Sequence, residues 1–199
     1  MKRPVTYAFI DSQNLNLGVR SLGWKLDFKK FRLYLKNKYG VEKAYLFIGM
    51  IPGNEDLYSY LSDVGYNLVF KQTVQCKQGN KTTYKGNVDA ELVLYAAAKV
   101  YAQYDRAMIV SGDGDFKCLA EYLLEKSKLH KIICPTHHYS SLLREYADYI
   151  DTVARAKKSI EYKNDQHRRS VETLGVSGHG DITIIAKKGE KVNTPKGSI

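Results

Sequence analysis

Short apolar runs alternate along most of the chain with segments whose apolar positions recur at helical spacing. The apolar runs predict strands at residues 5–10, 44–49, 67–70, 107–110 and 131–134, with a short sixth strand at 149–150. The helical spacing predicts helices around residues 28–35, 55–64, 88–103, 115–126 and 139–147. Strands that alternate with helices predict an α/β fold around a central, mostly parallel sheet of five or six strands.

Polar residues at the predicted ends support two of these helices. Asp27 precedes the helix around residues 28–35, and aspartate is a favourable N-cap. Gly65 follows the helix at 55–64, where glycine commonly ends a helix.

The most informative polar segment follows the apolar run at 107–110. Residues 111–116 read Ser-Gly-Asp-Gly-Asp-Phe and place Asp113 and Asp115 between a buried strand and a helix start. Open α/β sheets bind ligands beyond the carboxyl ends of their strands. Two neighbouring carboxylates repel each other unless a cation or a shared proton offsets their charge. The segment therefore predicts a site for a divalent metal ion.

Two further polar segments contain candidate site residues. Asp11 ends the first predicted strand, and Asn14 follows three residues later. Asp89 falls in the first turn of the helix at 88–103, where the helix dipole favours a carboxylate. Purely structural roles are the alternative: Asp113 as an N-cap, Asp89 as a favourable helix start and Asn14 as a turn former.

Taken in order, residues 10–14, 85–89 and 111–116 resemble the motifs of the NYN domain, in the LabA-like branch of the PIN-like nuclease superfamily. The resemblance covers residues 1–154 and implies a three-layer PIN-like or Rossmann-like α/β fold. It implies a metal-dependent ribonuclease that hydrolyses phosphodiester bonds of RNA, with DNA as a second expected partner. Residues 155–199 contain ten basic and five acidic residues and several glycines, which predicts a basic, flexible C-terminal extension, either a nucleic-acid-binding arm or a solubilising tail.

The resemblance, with the spacing of the acids, assigns the catalytic roles. The expected catalytic residues are Asp11, Asp89, Asp113, Asp115 and Asn14. The four aspartates are expected to hold one or two Mg²⁺ or Mn²⁺ ions, since carboxylate oxygens suit these hard cations. Such an ion lowers the pKa of a bound water to make the nucleophile, and a second stabilises the leaving oxygen.

This chain departs from the usual motifs of that family at two positions. Asn87 is an extra residue between the lysine-glycine pair and Asp89. Tyr95 stands where many members have a further aspartate, about two helical turns into the following helix. The number of carboxylates is therefore lower than in the fullest members, which bears on metal affinity.

The segment at residues 71–87 contains four lysines and no acidic residue, and it predicts a loop or a short hairpin. It runs directly into Asp89, so its lysines would bind phosphates on either side of the scissile one. The aromatic ring of Tyr84 would stack on an unpaired base. The expected nucleic-acid contacts are Lys71, Lys77, Lys81, Tyr84, Lys85 and, in the acidic turn, Ser111. The alternative is a solvated surface loop, with Tyr84 packed against the domain.

Composition agrees with a polyanionic partner. The chain has 199 residues, and 31 basic against 21 acidic residues give a net charge of +10. The sequence shows no apolar run near the roughly 18 residues that a membrane helix needs and no secretion signal, so we expect no membrane partner. Three widely spaced cysteines favour reduced thiols and a cytoplasmic location. The oligomeric state, including a homo-oligomer, stays open.

Three other functions fit parts of the pattern. A phosphatase of the haloacid-dehalogenase type needs an acid two residues after Asp11, where this chain has Gln13. A PIN-like module could bind RNA or protein without cleavage, as the reduced number of acids suggests. A zinc site at Cys134, His137, His138 and His130 has suitable ligand types but lacks the usual spacing.

Overall fold

A computed structural model describes residues 3–72, 74–78, 81–85 and 88–163, of which those between 72 and 87 are described by their backbone alone. Eight strands are formed: β1 Thr6–Asp11, β2 Val41–Met50, β3 Tyr66–Gln72, β4 Val74–Gln78, β5 Lys81–Lys85, β6 Arg106–Val110, β7 Leu129–Cys134 and β8 Ile150–Thr152. Six of them form one sheet in the order β3-β2-β1-β6-β7-β8. All five neighbouring pairs in that sheet are parallel. The predicted parallel α/β fold is therefore confirmed.

The α-helices are α1 Ser12–Ser21, α2 Phe28–Tyr39, α3 Glu55–Asp63, α4 Asp89–Leu94, α5 Lys117–Glu125 and α6 Lys157–Ile160. Shorter 3-10 segments lie at Tyr101–Gln103, Gly114–Phe116, Ser141–Tyr149 and Val153–Ala156, and a π-helical turn lies at Tyr95–Lys99. None of the helices in the described part of the chain combines the length and the apolar character needed to cross a lipid bilayer.

Side chains that alternate along the central strand belong to two separate cores. Tyr7 and Phe9 pack with α4 and α5, whereas Ala8 and Ile10 pack with α1 and α2. Helices thus cover both faces of the sheet, which gives the three layers that the sequence predicts. The carboxyl ends of β1 and β6 lie side by side at the centre of the sheet, since Ile10 pairs with Val110.

Local signals explain several element boundaries. The Asp27 side chain accepts a hydrogen bond from Lys30 N at 2.9 Å and caps α2, as predicted. Gly65 has a φ of +95° where α3 gives way to β3, a conformation that glycine adopts without strain.

Helix α1 is absent from the sequence prediction. The segment carries Asn14, Asn16 and Gly18, all weak helix formers, so its propensity is low. Burial of Leu15 and Val19 on one side stabilises it instead.

Two predicted helices differ from the observed ones. The helix expected over 88–103 is α4 followed by the π-helical turn, in which Val100 N donates to Tyr95 O. Packing of the Tyr95 ring against Tyr45 and Phe47 accompanies this change of winding. The helix expected over 139–147 is a 3-10 helix at Ser141–Tyr149, and Ser140 caps it.

The chain continues to pack against the domain beyond residue 154. Ile160 is fully buried, and its carbonyl accepts a hydrogen bond from Asp27 N at 2.9 Å. Tyr162 N donates to Lys25 O at 2.9 Å. The rest of the predicted extension, residues 164–199, lies outside the described residues.

Candidate active site at the carboxyl ends of two central strands

Asp11 is held in one orientation at the end of β1. Its carboxylate is almost fully buried, and Oδ1 accepts hydrogen bonds from the backbone N–H groups of Gln13 at 3.1 Å and Asn14 at 3.0 Å. Asp11 is thus the N-cap of α1. Its other oxygen, Oδ2, lies 3.5 Å from the hydroxyl of Ser111 on the neighbouring strand end. The side chain therefore has a structural role and still places an oxygen toward the turn after β6.

The turn after β6 is ordered by its own polar side chains. Ser111 Oγ accepts a hydrogen bond from Asp113 N at 3.2 Å. Asp113 Oδ1 accepts one from Asp115 N at 3.1 Å and caps the short 3-10 helix at Gly114–Phe116. Asp113 is therefore an N-cap, which is the structural role that the sequence analysis gives as the alternative to metal binding. The side chain of Asp115 is exposed.

Asn14 joins the two strand ends. Its Oδ1 accepts a hydrogen bond from Gly112 N at 2.8 Å. Because Asn14 N is also bonded to Asp11, this one residue connects the start of α1 with the acidic turn.

Asp89 is the first residue of α4. It is 9% exposed, and α4 packs against both β1 and the 3-10 helix at Gly114–Phe116. Of the predicted acids, Asp11 and Asp113 therefore come together through Ser111, Asp89 lies on the adjacent helix α4, and Asp115 is exposed.

The side chains of this candidate site offer carboxylate, amide and hydroxyl oxygens, which are suitable ligands for a hard divalent cation. Within the described ranges, no three His, Cys, Asp or Glu side chains stand together as a ready-made metal site. Mg²⁺ commonly binds through one or two carboxylates, keeps several waters and takes further oxygens from a phosphate substrate. The residues thus fit an ion bound by two carboxylates better than a closed four-aspartate cage.

The zinc alternative finds no support at this edge of the sheet. Cys134 is buried, and its thiol donates to Ser111 O at 3.7 Å. Burial raises the pKa of the Cys134 thiol to about 12, which disfavours the thiolate that zinc requires.

The lysine-rich segment forms a hairpin in its backbone, with β4 and β5 antiparallel. Lys71, at the end of β3, forms an ion pair with Glu91 in the first turn of α4. This pair connects the base of the hairpin with the helix that carries Asp89. The side chains of Lys77, Lys81, Tyr84 and Lys85 lie outside the described residues.

Sequence reasoning missed three contributors to the site. Glu91 lies two residues after Asp89, and residues two apart face different sides of a helix, so the sequence alone does not connect it with the site. Its ion pair with Lys71 is seen only in the structure. Tyr139 and Ser140 lie against the glycines of the acidic turn: a Cβ on Gly112 would be 3.3 Å from Tyr139 Cβ. The paired glycines in residues 111–116 are the signal that another segment approaches closely.

A family model, the NYN domain, matches residues 6–153. The chain belongs to the NYN domain family. Members of this family are generally nucleases that use divalent metals. The match covers both strand ends and α4, so the site described above lies wholly within the NYN domain.

Two similar proteins agree with this assignment. Low amplitude and bright protein LabA of Synechococcus elongatus is 28% identical over 151 residues, which are 72% of this chain and 81% of that protein. A solved structure of a Vibrio parahaemolyticus protein of unknown function superposes with a TM-score of 0.64. It is 22% identical, and the match covers 81% of this chain and all of that one, so it supports the α/β fold alone.

Proposed function

We propose that this NYN domain is a metal-dependent ribonuclease that hydrolyses phosphodiester bonds of RNA. One observation carries the proposal. The buried Asp11 carboxylate is fixed beside Ser111, and Asn14 ties that strand end to the turn that carries Asp113. Such fixed side chains favour catalysis, because a catalytic group must be held close to its productive geometry.

In the proposed reaction, Asp11 and Asp113 hold Mg²⁺ or Mn²⁺. Asp89 contributes a further negative charge from the start of α4. When bound, the metal ion supplies an activated water and stabilises charge on the phosphate. Asn14 keeps the two strand ends in register, and the Ser111 hydroxyl orients Asp11. Asp115 faces incoming substrate from the rim. The hairpin lysines bind phosphates that flank the scissile one.

Asparagine variants separate chemistry from folding at these positions. Asn is as good an N-cap as Asp, so Asp11→Asn keeps the cap of α1 while it removes the charge. The same holds for Asp113→Asn at its 3-10 helix. Asp63→Asn, at an exposed aspartate at the end of α3, is the matched control.

The test incubates purified full-length protein and the three variants with single-stranded RNA and DNA, in Mn²⁺, in Mg²⁺ or in chelator. We expect metal-dependent cleavage of RNA by the wild type and by Asp63→Asn. Cleavage should fall at least about a hundredfold in Asp11→Asn and Asp113→Asn, while the unfolding midpoints stay close to that of the wild type. Equal cleavage by all four proteins would rule out this assignment of the acids.

A module that binds RNA or protein without cleaving is the second candidate. Tyr95 favours it, because its ring packs against Tyr45 and Phe47 where many NYN members have an aspartate. RNA binding without cleavage in either metal would identify this function.

A further inference from the structure

The segment that follows β7, residues 135–140, lies tightly against two elements of the candidate site. A Cβ added to Gly18 of α1 would be 2.4 Å from Pro135 Cβ. A Cβ added to Gly114 of the acidic turn would be 2.3 Å from Ser140 Oγ. Atoms essentially never approach so closely, so a side chain at Gly18 would displace the Pro135 ring, and one at Gly114 would force Ser140 to shift. We call residues 135–140 the histidine segment.

Hydrogen bonds fix the histidine segment further. Ser140 N donates to Gly112 O at 3.0 Å. Thr136 Oγ1 accepts from His138 N and donates to His138 O, both at 3.0 Å. The backbone is therefore held at each end, and His137 and His138 are exposed between the two attachments.

The strand order places these histidines on one side of the acids and the lysine hairpin on the other. In the order β3-β2-β1-β6-β7, the hairpin continues from β3 and the histidine segment continues from β7. Asp11 at the end of β1 and Asp113 after β6 lie between them. A chain that crosses this edge with a phosphate at the acids would pass toward Lys71, near the end of β3, in one direction and toward the imidazoles in the other.

Imidazole is suited to such a contact. Each ring has an N–H donor for a phosphate oxygen and a face on which an unpaired base can stack. Because the backbone of the histidine segment is already fixed, binding of a ligand would have to order only the side-chain rotamers.

We propose that His137 and His138 bind the RNA backbone on the β7 side of the scissile phosphate and so extend the substrate site. This proposal rests on the proposed ribonuclease function. The two histidines are substrate-binding residues and take no part in activating water.

The test compares the double variant His137→Asn/His138→Asn and each single variant with the wild type. His130→Asn is the matched control, because His130 is a half-buried histidine of β7 itself, whose ring packs against Tyr39. Binding is measured with a fluorescent single-stranded RNA in chelator, and KM and kcat are measured in Mn²⁺. Thermal unfolding is followed for every protein.

We expect the double variant to bind the RNA about tenfold more weakly, with a matching rise in KM, because each shorter asparagine loses an exposed imidazole contact that contributes about threefold, and two such losses combine to about tenfold. Its kcat should stay within about twofold of the wild type and its unfolding midpoint should not move, while His130→Asn should retain wild-type affinity.

Two outcomes would overturn the proposal while the ribonuclease function stands. In the first, the wild type binds and cleaves RNA, and the double variant binds the RNA with the same affinity. The other is a fall in kcat at constant KM, which would assign the histidines to the chemical step. A wild type that neither binds nor cleaves RNA would remove both the ribonuclease function and the histidine proposal.

Discussion

Asn14 Oδ1 accepts a hydrogen bond from Gly112 N at 2.8 Å across a separation of 98 residues. The bond joins the first turn of α1 to the acidic turn after β6. Both strand ends therefore keep a fixed relation to each other, and with them Asp11 and Asp113. A neutral amide thus adds to the β1–β6 pairing and to the Ser111 hydroxyl in fixing the geometry between two carboxylates.

Asn14→Ala should release the acidic turn from the start of α1. The Gly112 N–H then loses its acceptor in a half-buried position, so the free energy of unfolding should fall by about 1–2 kcal/mol. Urea denaturation measures this change. Metal-dependent cleavage should fall more steeply, because Asp113 is no longer fixed relative to Asp11. Gln13→Ala, one residue earlier in the same turn, is the control, and equal stability and activity of both variants would contradict the role given to Asn14.

A second polar cluster joins α2 to the edge strand β8. Asp151 Oδ2 accepts hydrogen bonds from Lys38 Nζ at 2.8 Å and from Tyr39 OH at 2.6 Å. Burial alone would raise the pKa of Asp151, but these bonds and the one from Thr152 N outweigh it and lower the pKa to about 2. Burial raises the pKa of Tyr39, and the nearby carboxylate raises it further. The cluster therefore keeps Asp151 charged and Tyr39 neutral.

The Asp151 cluster should make stability depend on acid pH. A carboxylate with a lowered folded pKa stabilises the native state above its unfolded pKa, near 3.8, and this contribution disappears as the pH falls toward about 2. At neutral pH the shift corresponds to about 2 kcal/mol. Asp151→Asn should be less stable by this amount at pH 7, and the difference should shrink between about pH 4 and pH 2. Urea unfolding across this range tests it, with exposed Asp148→Asn as the control; a difference that is constant with pH would contradict the assignment.

Much of the fold follows from local pattern. The parallel sheet and the cap at Asp27 can be predicted from the sequence, because the spacing of apolar residues and the capping hydrogen bond each involve only a few neighbouring residues. Helix α1 could not be predicted in this way, because its Asn and Gly residues have low helix propensity. The helix forms because burial of Leu15 and Val19 in the tertiary structure outweighs that low propensity. The π-helical turn at Tyr95–Lys99 likewise accompanies packing against β2.

The candidate site likewise combines residues that the local sequence pattern identifies with contacts that only the tertiary structure shows. Asp11, Asp113 and Asp89 were identifiable because each follows a strand or begins a helix at a definite position. The pairing of Lys71 with Glu91 and the approach of residues 135–140 to Gly112 depend on how distant segments meet. Such contacts leave only weak traces in one sequence, here the glycines of the acidic turn.

Lys128 should stabilise the end of the irregular helix that follows α4. Its ammonium donates to Tyr101 O at 2.8 Å and to Tyr104 O at 2.6 Å, and it lies 4.1 and 4.6 Å from the two ring centroids. Lys128→Met removes two charge-assisted hydrogen bonds and two cation–π contacts, so we expect a loss of about 2–3 kcal/mol by chemical denaturation. Lys126→Met changes an exposed lysine 5.8 Å from the Tyr122 ring and should cost under about 0.5 kcal/mol. Equal losses in the two variants would show that the contacts of Lys128 add nothing.

Gly18 offers a test in which the usual effect of a substitution reverses. Alanine in place of glycine inside a helix normally adds about 1 kcal/mol of stability. At Gly18 the new Cβ would be 2.4 Å from Pro135 Cβ and 3.1 Å from Pro135 Cγ, and the proline ring has little freedom to move. Gly18→Ala should therefore lower the free energy of unfolding by about 1–3 kcal/mol. The shift of residues 135–140 should also weaken RNA binding, which fluorescence anisotropy in chelator measures. Ser21→Ala in the same helix is the control and should change stability little. If Gly18→Ala is at least as stable as the wild type, the histidine segment can move away from α1, and the fixed placement of His137 and His138 no longer holds.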